Sequence, residues 1–204
     1  MLSRRRAAAI RGTALVSAFF ACAPLPRGRP GSDGGAGGQL VDAGACPAAT
    51  IATVAVTSAN HVQVGTTVQY DSNPPAGGDH YPIWATWGVH ADAVPAEYFV
   101  HNEEHGGVVL LYDCPSGCPD VVAALTRIVD SQPIDPLCEA QGGGVSSRML
   151  LVPDPSLDVP VAAAAWGFTY EEPAPCVDPG SIQAFIDAHY GNGPEQLCLQ
   201  GGYQ

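Results

Sequence analysis

Lysine is absent from this chain: all eight basic residues are arginines, and four of them (Arg4, Arg5, Arg6 and Arg11) fall within the first eleven positions. From residue 22 onward four arginines face twenty acidic residues, an excess of sixteen negative charges. Such a surface repels phosphate backbones, which excludes nucleic acid as an expected partner, and it attracts cations weakly and without selectivity. Long apolar runs are missing too, since none reaches the roughly 20 residues that cross a bilayer as a helix. Charged residues are scarce at 14%, while hydrophobic residues make up 46% of the 204 positions. That balance fits one globular domain with a real core rather than a disordered chain. No internal repeat, Ser-His-Asp order, phosphate-cradling glycine loop or dinucleotide fingerprint stands out.

The N-terminus reads as an export signal over residues 1–22. Arg4-Arg5-Arg6 precede the short apolar stretch Ala14-Leu-Val-Ser-Ala-Phe-Phe20 and the small-residue run Ala21-Cys-Ala23. The stretch resembles a bacterial lipoprotein signal with Cys22 as the acylated residue, and Ser3-Arg4-Arg5-Arg6 is faintly similar to a twin-arginine signal. Simple cleavage near Ala21 or Ala23 is the plainer alternative. Residues 23–48 are rich in Gly and Pro and read as a flexible tether, which leaves residues 49–204 as the globular part. These features point to an exported protein of the bacterial cell envelope, in the periplasm or on the cell surface, held at the membrane by a lipid anchor. Setting Cys22 aside leaves Cys46, Cys114, Cys118, Cys138, Cys176 and Cys198. An even six in an exported chain means up to three disulfides, in a pairing the sequence does not choose.

Hydrophobic periodicity predicts strands at residues 51–56, 61–70, 107–112, 148–152 and 161–168. It predicts helices at residues 119–131, with Pro119 in the first turn, and at residues 179–189, capped by Asp178. The expected fold is a single α+β domain with a mainly antiparallel or mixed sheet and two helices, stabilised by disulfides.

Chemistry concentrates in His101-Asn-Glu-Glu-His105-Gly-Gly. Two imidazoles spaced i, i+4 on a helical turn share a face and can share an ion, with Glu104 as third ligand, as a partner of a ligand imidazole, or as a base. The letters H-x-x-E-H also fit an inverted zinc-peptidase signature. Gly106-Gly107 ends any helix at once, so the long helix which that signature needs has no room. His80 and His90 are nearby, and Tyr81, Trp84 and Trp87 could wall the site. His61 on a strand and His189 at a helix C-terminus need no ligand role, and Met149 reads as core.

The chain resembles a bacterial family known only as domain of unknown function 3105, whose members are exported or membrane-anchored and have no established activity. The resemblance rests on Asn73-Pro-Pro-Ala-Gly-Gly-Asp-His-Tyr81, Trp87-Gly-Val-His90 and Val100-His-Asn-Glu-Glu-His-Gly-Gly-Val-Val109. It continues through Ala165-Trp-Gly167 and Phe185-Ile-Asp-Ala-His-Tyr-Gly-Asn-Gly-Pro-Glu195. The family usually shows an aromatic such as Tyr where this chain has His90, so the resemblance leaves His80, His101 and His105 as the pattern histidines.

The expected function is an envelope protein that binds one transition metal, copper or zinc, through His80, His101, His105 and Glu104. Nitrogen-rich donor sets of this kind suit those ions better than calcium or magnesium. The alternatives are a metal-dependent hydrolase or copper redox enzyme with Glu104 as base, and a metal-free structural or interaction module.

Overall fold

Alternation with period two governs the centre of the molecule. In a computed structural model, which describes residues 46–204, the strand β3 (Val108–Tyr112) sends Val108 and Leu110 to one face and Val109 and Leu111 to the other. All four residues are fully buried, because helices and loops cover both faces. Its neighbours β4 (Met149–Pro153) and β5 (Val161–Ala165) are apolar throughout for the same reason.

Chain order is β1 (Thr50–Thr53), β2 (Gly88–Val89), α1 (Ala96–Glu104), β3, α2 (Pro119–Asp130), α3 (Pro136–Gln141), β4, β5, β6 (Phe168–Glu172) and α4 (Pro179–His189). The sheet order is β1-β6-β5-β3-β4-β2. The pairs β1/β6, β6/β5 and β5/β3 are antiparallel, whereas β3/β4 and β4/β2 are parallel. This is the α+β fold with a mixed sheet.

On one face Val121, Leu125, Ile128 and Val129 of α2 and Ile182, Phe185 and Ile186 of α4 pack on Leu110, Met149, Leu151 and Tyr170. Full burial of each large aliphatic side chain contributes about 1.5–3 kcal/mol, so Leu110→Ala would cost about 2–5 kcal/mol once its cavity is included. The opposite face is covered by α1 and by residues 54–94, with Phe99, Val100, Ala85 and Val94 over Leu111, Leu150 and Ala164. The helix caps follow the expected chemistry: the Asp178 carboxylate accepts from Gly180 and Ser181 N–H, and Asp135 accepts from Leu137 N–H.

Three disulfides close the frame. Cys46–Cys176 ties the start of the domain to the segment before α4, Cys114–Cys118 closes the turn into α2, and Cys138–Cys198 ties α3 to the C-terminal segment. Such bridges point to an oxidising compartment outside the cytoplasm. Among the described residues, no helix is long and apolar enough to cross a membrane. The signal, Cys22 and most of the tether lie outside the described residues.

Several expected elements differ. Residues 62–70 are irregular, with one turn at Val64-Gly65, rather than a strand, and the only strand-like pairing of this stretch is a bridge between His61 and His80. The stretch expected as one strand at residues 161–168 is a hairpin: Gly167, at φ 82°, turns the chain between β5 and β6. Among the described residues four helices stand where two were expected. Helix α1 escaped the periodicity test because its polar residues are buried against loops instead of facing water.

Candidate metal centre

Helix α1 carries His101, Asn102, Glu103 and Glu104, all buried, and His105 closes it as a buried C-cap. Five consecutive polar side chains out of water need partners supplied by neighbouring segments. Asn102 finds them in Ala85, accepting from its N–H at 3.0 Å and donating to its carbonyl at 2.9 Å. That exchange pins the segment before β2 across the helix. Gly106, at φ 78°, then reverses the chain into β3, a left-handed conformation that favours glycine.

His101 Nδ1 lies 2.6 Å from the carbonyl oxygen of Tyr81, and His80 Nδ1 lies 2.8 Å from that of Gly78. A carbonyl only accepts, so each Nδ1 carries the proton and donates, which turns the lone pair of each Nε2 toward the opposite side of its ring. Both Nε2 atoms face the Glu104 carboxylate: His80 Nε2 is 2.9 Å and His101 Nε2 3.9 Å from Oε2. The third neighbour is His61, whose Nε2 is 3.8 Å from the same oxygen. His61 reaches it through paired backbone bonds, Val62 N–H to His80 O at 2.8 Å and His80 N–H to Asn60 O at 3.1 Å.

Donor atoms of His61, His80, His101 and Glu104 all lie within 4.8 Å of one another. Four ligands at about 2.0–2.2 Å from a tetrahedral ion are roughly 3.3–3.6 Å apart. The observed separations bracket that value. The contact between His80 and Glu104 has hydrogen-bond length but not alignment, so both His80 Nε2 and Glu104 Oε2 are buried without a well-formed partner. Two bare acceptors this close would repel each other unless a cation, whether proton or metal, lay between them.

Electrostatics favours a ligand-ready state. Burial lowers His101 to about 4, against the opposing pull of its Tyr81 hydrogen bond, and lowers His105 to about 3. Burial acts upward on Glu104, but the His80 contact and the nearby imidazoles outweigh it and hold the carboxyl below its usual range. The adjacent Glu103 is the reverse case: complete burial pushes it well above that range, with only a smaller opposing influence from the Gly77 N–H. Trp84 packs against His101 and His105 with ring centroids at 5.1 and 4.6 Å, and Trp166 stands edge-on to His80 at 6.2 Å.

The structure therefore brings together three of the four residues singled out as ligands, His80, His101 and Glu104. His105 is not part of this group: its Nε2 lies 3.4 Å from Glu195 Oε2, and it forms a second set with Glu104 and Glu195. His61, which strand alternation leaves without a ligand role, belongs to the first set. Period-two patterning cannot reveal a side chain that reaches the site through a single bridge. His90 turns back on the Thr86 carbonyl at 2.7 Å, and His189 stacks on Phe168 and packs tilted against Phe185. Trp87 packs at Gly107 and donates to Leu199 O, away from the cluster. Met149 is core.

These observations define a disulfide-braced α+β domain with a buried His/Glu group that could hold a metal ion. The chain belongs to the family described as "Protein of unknown function (DUF3105)", whose pattern matches residues 61–200. The match begins at His61 and takes in every residue of both donor sets. No curated protein and no solved structure matches the chain.

Proposed function

We propose that this is an exported, lipid-anchored envelope protein that binds one transition metal ion, copper or zinc, through His61, His80, His101 and Glu104. The observation that carries the reading is the convergence of two tautomer-fixed imidazoles on a buried carboxylate oxygen without an aligned partner. Backbone carbonyls behind each Nδ1 play the orienting part that outer partners play in known histidine–metal sites. Three imidazole nitrogens and one carboxylate oxygen suit zinc or copper(II), whereas calcium takes mainly oxygen ligands. Export and anchoring rest on the N-terminal signal, on Cys22 and on the three disulfides.

In this reading Glu104 is a ligand rather than a free base, because its Oε2 stands among the three ring nitrogens. The rival occupant of the gap is a proton, which would turn the His80–Glu104 contact into a structural ion pair and make the group part of a metal-free module. Metal analysis and calorimetry separate the two readings. Chelator-stripped wild type should take up stoichiometric zinc or copper(II), and His80→Gln with His101→Gln should lose it while remaining folded. Equal, substoichiometric uptake by both proteins would leave the proton as the occupant and sink the metal reading.

A further inference from the structure

We propose that Glu104, His105 and Glu195 hold a second divalent cation beside the first, with the Glu104 carboxylate bridging the two ions. The proposal rests on the metal reading of the first set, but different residues carry it. His105 is buried, its Nδ1 has no partner, and its Nε2 stands 3.4 Å from Glu195 Oε2 without a hydrogen bond between them. Donor atoms of Glu104, His105 and Glu195 fall within 4.8 Å of one another. Glu104 is the one residue common to both sets, and a carboxylate has two oxygens to share.

Backbone contacts fix the segment that carries Glu195 against the end of α1. Glu195 N–H donates to the Glu104 carbonyl at 3.0 Å, and Gly191 N–H donates to the Gly106 carbonyl at 2.8 Å. Between these anchors Gly193 presses so closely on the end of α1 that a Cβ would overlap Glu104 O and Gly106 N. Arg148 holds the His105 carbonyl from below at 2.7 Å and donates to Gln196 Oε1 at 3.2 Å, so His105 and the Glu195 segment share one brace. This arrangement gives a role to the Gly191-Asn-Gly-Pro-Glu195 motif, which the first donor set leaves without one.

The second set differs in chemistry. One imidazole nitrogen and two carboxylates make a harder site than three imidazoles and one carboxylate, suited to zinc, manganese(II) or iron(II) rather than copper(I). The Glu195 side chain is 55% exposed whereas His80 is fully buried, so water completes the second ion's coordination. A pair of ions sharing a carboxylate, one of them open to water, is the arrangement by which two-metal hydrolases hold and activate water.

Zinc titration of the chelator-stripped full chain tests this, with Glu195→Gln and His105→Gln as variants. Wild type should bind two equivalents, the second more weakly. Glu195→Gln should keep the first at wild-type affinity and weaken the second by roughly 10-fold or more, a loss on the scale seen when a metal site is perturbed. Cobalt(II) at two equivalents should show spin coupling in wild type that Glu195→Gln abolishes, which a cation bound loosely on the acidic surface would not produce. One equivalent in wild type, or two coupled ions in Glu195→Gln, overturns the second site and leaves the first standing. No zinc uptake by wild type overturns both.

Discussion

Arg148→Met should destabilise the domain and loosen the metal centre together. Arg148 is 4% exposed and donates from Nε to Asp135 Oδ2 at 2.8 Å and from an Nη to the His105 carbonyl at 2.7 Å. Its guanidinium also lies over the Tyr190 ring, 5.1 Å from the centroid, and Tyr190 donates to the same Asp135 oxygen at 2.6 Å. Without the arginine, Asp135 keeps only Tyr190 and the Leu137 N–H, while the His105 carbonyl loses its donor. A hydrogen bond to a charged group contributes about 1.5–3 kcal/mol, and an orphaned buried acceptor costs about 1–3 kcal/mol. The combined loss of about 3–5 kcal/mol agrees with the cost of breaking a buried ion pair. For a domain of this size that lowers the unfolding midpoint by roughly 6–20 °C. Denaturant unfolding of the wild type, Arg148→Met, Asp135→Asn and the double variant measures it, and the double variant should recover part of the loss. A loss below about 1 kcal/mol would mean that the pair behaves like an exposed one, and the reasoning would fail.

Acid should remove the stability contributed by the two buried histidines of the metal-free protein. Burial holds His101 at about 4 and His105 at about 3, so between pH 6.5 and about 4 the unfolded chain binds protons that the folded chain refuses. The contribution of each histidine is then full above about pH 6.5 and is lost as pH falls, by on the order of 3 kcal/mol each at pH 4. Glu103, raised by burial, acts in the opposite sense as its unfolded-state carboxyl takes up its proton. Glu104, held below its usual range, adds to the loss at lower pH still. Denaturant midpoints measured against pH should show a shallower slope in His101→Gln. Gly193→Ala should cost about 1–3 kcal/mol, the usual cost of overpacking, and should weaken zinc binding at the second set before the first. Removing Cys138–Cys198 by paired alanine substitutions should cost about 2–5 kcal/mol in thermal unfolding, because that bridge spans 60 residues. His90→Phe should leave metal affinity unchanged in calorimetry, since the His90 ring bonds only to Thr86.

The elements legible in the sequence are those whose environment is simple. Strands β3 and β4 are buried on both faces and read as apolar runs, and α2 and α4 lie on the sheet with one apolar stripe each. Helix α1 was hidden because the stripe rule assumes that a helix's polar face meets water. Here Asn102 bonds to Ala85, and His101 and Glu104 turn toward residues 61–80. The short β2, two residues long, carries no periodic signal at all. At the site, i, i+4 spacing put His101 and His105 on one face, yet a single turn of helix was enough to aim them at different partners. His61 and Glu195 arrive from 43 residues before and 91 residues after Glu104, and no local pattern encodes a meeting of that kind. The glycines were the readable trace of Glu195: Gly191 and Gly193 mark where the chain had to press against α1.

X-ray absorption on the untagged chain loaded with one equivalent of zinc tests the central claim most directly. The account predicts a four-coordinate first shell near 2.0–2.1 Å, with the multiple scattering of three imidazoles and one carboxylate oxygen, reduced by one imidazole in His61→Gln. A shell of oxygen scatterers without imidazole, or one that is the same in His61→Gln, His80→Gln and His101→Gln, would contradict it.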